Sequence, residues 1–361
     1  MKNTFLSLSV LCLAFSCQTP VFIEPVGPEK ELVLQARLLT SDEQHTVYAS
    51  YSFHDNCEPA EDITVSCYVN GQLVAVTSED TRLGQYREAA YQFKATIQPG
   101  DSVRIEAIGP DNRAVARTKA PEALPAIPDV TAEELTIYND KGNVVTRFRF
   151  HIPVHDIPQE RNWYRINTTC HTIVRMYVSE EVHEKEPWYP TGWSTLEENT
   201  LAIRHSNTKD PVLNPDGRES KDSYVDDYLS NPHHFFTDEL FEDGSNEFIL
   251  EASPYDYTQG ARFSMSSGIQ YQYTITAYFD IQSLSREDFM HSRMLEMDHF
   301  NLSGVSIVDD LFSEDMVLPG NVEGGMGLVT VRSVTRAPYE FGTYDCDVHN
   351  WYDVYDLHLK H

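Results

Sequence analysis

Cys17 is the residue whose setting points most directly to chemistry. It closes the run Leu13-Ala14-Phe15-Ser16-Cys17, which resembles a lipobox, behind a basic Lys2 and an apolar stretch from Phe5 to Phe15. A sulfur in that place accepts a diacylglycerol; the chain is then cut before it and the new amino group is acylated, commonly with palmitate. The apolar stretch is about 11 residues, against the roughly 20 that a helix needs to cross a bilayer. Residues 1–16 are therefore expected to be a cleaved signal peptide and Cys17 a lipid anchor. Two or three acyl chains, at about 0.8 kcal/mol per buried methylene, hold a protein on a membrane almost permanently. No later stretch of the sequence is long and apolar enough to span one.

The remaining mature cysteines are Cys57, Cys67, Cys170 and Cys346. Export places them in an oxidising compartment where disulfides persist, and four cysteines allow three connectivities. Cys57 and Cys67 are close in the chain and are the expected pair, a bond contributing roughly 2 to 3 kcal/mol by loop closure. Cys170 shares an alternating face with Tyr164, Ile166, Val174, Met176 and Val178, and reads as a small buried hydrophobe. No CxxC pair or Cys/His cluster has metal-ligand spacing, so neither metal nor cofactor is expected. His233-His234, in an Asn-Pro-His-His turn, is expected to be solvated. The acidic runs Glu180-Glu181, Asp226-Asp227, Asp238 to Asp243 and Asp309-Asp310 lack an EF-hand spacing and read as solvated faces. The nucleophile elbow G-x-S-x-G and the zinc helix H-E-x-x-H do not occur, so no catalytic residue is assigned.

The elements that position these residues are read as short strands. A formal charge of −29 repels phosphate backbones, which makes nucleic acid an unfavourable partner. Residues 17–30 hold Pro20, Pro25 and Pro28 and form an extended stem above the lipid. Seven short β segments between residues 31 and 120, separated by turns such as Asn70-Gly71 and Pro99-Gly100, predict an immunoglobulin-like β-sandwich. A proline-rich linker, 121–128, leads to a second antiparallel β domain, 129–361. Within it, residues 181–245 are polar and predict a long loop region. Its aromatics Trp188, Tyr189, Trp193, Tyr224 and Tyr228 are expected mostly to pack inward. Residues 286–300 predict a helix entered through Ser285 and Asp288, a capping-box-like pair. Three glycines between Asn321 and Gly327 predict a structural turn that seats a strand against that helix.

The segments PHHFFTDELFEDG (232–244), YQYTITAYFDIQSLSREDFMHSRML (271–295) and LFSEDMVLPGNVEGGMGLV (311–329) resemble three successive blocks of the domain of unknown function 4249 family of Bacteroidetes lipoproteins. LVLQARLLTSDEQHTVYASYS, ITVSCYVNGQ, GQYR and the P-G-D-S-V-R-I-E-A run resemble the family's opening domain. The resemblance implies a lipid-anchored, two-part β protein associated with outer-membrane nutrient transporters, and it supplies no reaction and no catalytic residue.

The expected function is that of an envelope binding or accessory module. It would be held on the outer membrane by its N-terminal lipid, facing the surface or the periplasm, with a barrel transporter as the candidate protein partner. Two alternatives stay open: a surface hydrolase with an unrecognised site in 181–245, and an adhesive or assembly subunit, which needs an exposed strand edge.

Overall fold

The computed structural model describes residues 30–53, 56–78, 88–138, 144–157, 161–203, 205, 210–214, 231, 234–241, 243–254, 257, 269–302 and 319–346. Cys17, the stem before Lys30, His233, Tyr224, Tyr228 and the acidic pairs at 226–227 and 309–310 lie outside them. The chain is mostly β, with seventeen strands among the described residues. The N-terminal strands are β1 (Glu31–Leu39), β2 (Gln44–Phe53), β3 (Asn56–Pro59), β4 (Thr64–Val69), β5 (Gln72–Thr77), β6 (Ala89–Lys94), β7 (Ser102–Ile108) and β8 (Arg113–Lys119). Then come β9 (Thr131–Tyr138), β10 (Val144–His155), β11 (Trp163–Val178), helix α1 (Glu180–Lys185), β12 (Gly192–Ala202), β13 (Phe235–Thr237), β14 (Ser245–Ala252) and β15 (Ile269–Leu284). Helix α2 (Arg286–Leu302), β16 (Val322–Glu323) and β17 (Met326–Cys346) complete the described elements.

Alternation at period two makes these segments strands and chooses their buried faces. On β1 the buried residues are Leu32, Leu34, Ala36 and Leu38; on β11 every second residue from Tyr164 to Val178 is buried. The expected hairpin turn at Asn70-Gly71 joins β4 to β5, with φ of 50° and 80°, the left-handed pair that a two-residue hairpin requires.

Two sandwiches share one long sheet, ordered β12-β11-β15-β17-β1-β2-β3 with β6 beside β2 and β13 beside β11. Its N-terminal part packs with the sheet β16-β8-β7-β4-β5 around a core that includes Leu34, Tyr91, Ile105 and Val331. Its C-terminal part packs with β14-β10-β9 around Phe148, Phe150, Phe279 and Phe341, where Phe150 lies 5.1 Å from Phe279 and 6.1 Å from Phe341 between ring centroids. Each such side chain contributes about 1.5 to 3 kcal/mol on burial.

β17 is the element that joins them. Met326–Arg332 pairs in parallel with Val33–Leu39 of β1, and Ser333–Cys346 pairs antiparallel with β15. The last part of the chain therefore completes the first sandwich, and a division at residue 129 does not separate two independent sheets. Residues 121–128 are docked as well, since Ser333 Oγ donates to the Pro121 carbonyl and Thr335 Oγ1 to the Leu124 carbonyl.

The glycine block serves this joint. A Cβ on Gly325 or Gly327 would run into the carbonyl oxygen of Leu32 or Leu34, and one on Gly324 into that of Arg113. Asn321 locks the turn by donating from Nδ2 to the Val329 and Arg117 carbonyls and accepting at Oδ1 from the Val329 N–H. The turn seats the strand against β1 and β8, and Thr330 and Arg332, just beyond it on β17, also bond to Asp288 of helix α2.

Candidate binding edge

β12 forms one end of the shared sheet. It pairs with β11 from Thr169↔Ala202 to Val178↔Gly192, and no strand lies on its other side among the described residues. The expectation of a long loop over 181–245 is corrected here, because α1, β12 and β13 lie inside it. The segment GWSTLEENTLA hides its strand character because both faces of an edge strand are partly wet, which blurs the alternation of apolar and polar residues.

The expected inward packing of the aromatics is also corrected for the two tryptophans. Trp188 is 72% exposed and Trp193 50% exposed, while Tyr189 packs against the second core. Trp193 stands directly across from Tyr177, with ring centroids 5.5 Å apart, on the outer face of the sheet. Leu196 and Leu201 are exposed on the same strand. A register shift opposite Val174/Arg175 leaves Leu196 as a bulge and splits the edge into the arms Gly192–Thr195 and Glu197–Ala202.

α1 fixes the approach to this edge. Ser179 Oγ accepts from the Val182 N–H at 3.4 Å, and Glu180 and Glu181 occupy the first turn, where the helix dipole favours them. His183 Nδ1 donates to the Tyr189 carbonyl at 2.6 Å, which holds the turn carrying Trp188 and Tyr189. The charge here is one-sided. Between residues 180 and 202 six glutamates (Glu180, Glu181, Glu184, Glu186, Glu197 and Glu198) face one lysine, Lys185, which is taken up by Glu181 at 2.8 Å. His171 on β11 reaches Glu198 at 2.8 Å.

A groove of about 580 Å³ lies beside α2, lined among others by Gln35, Arg37, Tyr48 and His291. Its helical wall is clamped by a buried ion pair. Asp288 is 0% and Arg332 4% exposed; Arg332 Nε and Nη2 donate to the two carboxylate oxygens at 2.7 and 2.8 Å, and Thr330 and Ser292 hydroxyls add bonds at 3.1 Å each. Burial alone would raise the Asp288 pKa, but Arg332 and Thr330 hold it below the usual carboxylate value. Ser285 does start the helix, accepting from the Asp288 N–H at 3.1 Å, while the Asp288 side chain serves the sheet. This pair fastens α2 to β17 and offers no open ligand position.

The other reactive side chains are sealed. His205 Nε2 meets Tyr257 Oη at 2.5 Å among Phe150 and Phe279, and burial, with His234 adding its charge, pushes its pKa down to about 3. His234 is buried too, bonded through Nε2 to the His205 carbonyl, so the expectation of a solvated histidine turn does not hold for it. Its φ of 52° and the Asn231 side chain, bonded to both the N–H and the carbonyl of Phe235, fold this turn inward. Cys170 is buried as expected, and burial, partly offset by Thr172, raises its thiol to about 11.

Cys67 is a free thiol facing the first core, and burial lifts its pKa to about 12. The expected bond from Cys57 to Cys67 involves the Cys57 side chain, which lies outside the described residues. Cys67 points inward from β4 in one sheet, and the backbone of Cys57 belongs to the edge strand β3 of the other. Cys17 lies outside the described residues as well. Among those residues no group of three or more His, Cys, Asp or Glu side chains is placed to hold a metal ion, and no helix is long and apolar enough to cross a membrane.

No curated protein matches the chain. Residues 18–337 match the family described as Domain of unknown function (DUF4249), in agreement with the resemblance carried by the blocks at 232–244, 271–295 and 311–329. The match takes in both sandwiches, the joint strand up to Ala337 and the β12 edge, and the chain belongs to this family.

Proposed function

We propose that the protein is an envelope lipoprotein, tethered through Cys17, that acts as a binding or accessory module beside an outer-membrane transporter. The open β12 edge carries this reading. Soluble β proteins blunt long free edges because an unpaired row of N–H and C=O groups recruits other chains. Here, among the described residues, an edge of eleven residues has no strand on its outer side, and it carries exposed Trp193, Leu196 and Leu201. Large exposed apolar side chains on such an edge support a docking role.

The stem sets the reach. Thirteen residues can span at most roughly 40 Å, at about 3.1 Å each, which bounds the distance from the lipid to the first sandwich. Confinement to one surface raises effective concentration, so a weak interface suffices. The test is Cys17→Ala with membrane fractionation, paired with crosslinking of the wild-type protein in intact membranes at native expression. The expected result is release of the variant from the membrane and recovery of the wild-type protein with a barrel partner. Normal processing and retention of the variant, or repeated recovery of the wild-type protein alone, contradicts the proposal.

A further inference from the structure

We infer that the β12 edge receives an extended, Lys- or Arg-rich segment of a partner polypeptide, which adds to the shared sheet as a further strand. The inference rests on the binding-module reading and names the chemistry of its partner. The backbone supplies the first half of the argument. Beyond the bulge at Leu196, the arm Glu197–Ala202 runs in unbroken register with β11, and among the described residues no strand pairs with its outer side, where a newcomer could add.

The side chains supply the second half. Glu198 shares the outer face with Trp193, across from Ile173 and Tyr177 respectively, while Glu197 and Leu201 stand across from the buried Val174 and Cys170 on the other face. Each face of the edge thus offers one carboxylate and one apolar group. An incoming strand alternates its own side chains between those faces, so cationic residues find a carboxylate on either one. Trp193, half exposed, adds a ring over which a guanidinium or ammonium can settle.

Charge selects the occupant. With a net −29 over the whole chain, an acidic partner is repelled before contact. A second copy docking edge to edge would set the Glu197-Glu198 pair beside another of its kind, and like charges on adjacent strands are destabilising.

The experiment uses the full lipoprotein in detergent at low salt and four probes read by tryptophan fluorescence and calorimetry. They are an alternating Lys-Val octapeptide, a Glu-Val octapeptide, a peptide of equal positive charge interrupted by proline, and cellohexaose as a neutral oligosaccharide. The Lys-Val peptide is expected to bind, to weaken at least tenfold when salt is raised to 0.5 M, and to outcompete the other three. Trp193→Ala is expected to weaken it about 3- to 30-fold, the range of a cation–π contact. Glu197→Lys is expected to weaken it more than tenfold, with circular dichroism and melting temperature unchanged in both variants. Equal binding of the proline-interrupted peptide overturns strand addition; preference for cellohexaose or the Glu-Val peptide, or no binding at 1 mM, overturns the cationic partner. If those arms fail while the membrane crosslink to a barrel persists, this inference falls and the accessory-module reading stands.

Discussion

Cys67 and Cys170 show how burial decides what a reactive side chain can do. Both are inward residues of alternating strands, and desolvation disfavours their thiolates, the form that reacts. Native protein at pH 8 is expected to leave both unmodified by iodoacetamide and urea-unfolded protein to label both, read by peptide mass mapping; rapid native labelling of either contradicts the assignment. His205 gives a pH prediction. Its native pKa near 3 lies below the unfolded value of 6.5. Between those values the unfolded chain binds a proton that the native state refuses, so stability falls as pH drops from about 6.5 toward 3, by up to about 1.4 kcal/mol per pH unit. Urea denaturation at pH 7.5, 6.5, 5.5 and 4.5 should show a shallower decline for His205→Gln, and parallel profiles would assign the acid sensitivity to other groups. Cys170 was legible in the sequence because alternation exposed its face. His234 was not, since two adjacent loop histidines give no sign of which one the turn folds inward.

At the scale of elements, α2 and β17 depend on the Asp288–Arg332 pair. Removing one partner of a buried pair strands the other, at a cost of about 3 to 5 kcal/mol. Arg332→Met is therefore expected to lower stability by about that much, and Asp288→Leu combined with Arg332→Met to recover most of it, as measured by chemical denaturation. Additive losses in the double variant would show that the pair is not coupled. The helix itself was legible from its Ser285 start and its spacing of Phe289, Met290, Arg293 and Met294. The role of Asp288 was not, because the capping pattern explains the same residue locally and its true partner is 44 positions away. β12 was missed for a related reason: an edge strand wet on both faces loses the periodicity that marks strands. Its signals were Trp193, Thr195 and Thr200, which favour strand conformations, within a stretch that otherwise reads as polar loop.

At the scale of the whole molecule, the sequence showed two β units and a proline-marked passage between them, and the structure adds that one strand belongs to both. That joint arises from a parallel pairing of β1 with β17 across nearly the whole chain, a contact that no local pattern can reveal. Its consequence is a continuous sheet running from the first sandwich to the β12 edge. On the proposed function, this edge is where the protein meets its partner. The most direct measurement places a photocrosslinking amino acid at Leu201 on β12, with a control at Tyr138 at the exposed end of β9. Both proteins are irradiated in intact membranes at low salt. A discrete crosslinked partner is expected from position 201, lost with Glu197→Lys and absent from position 138. Equal crosslinking from both positions, or none from 201 while a partner is captured from 138, would contradict it.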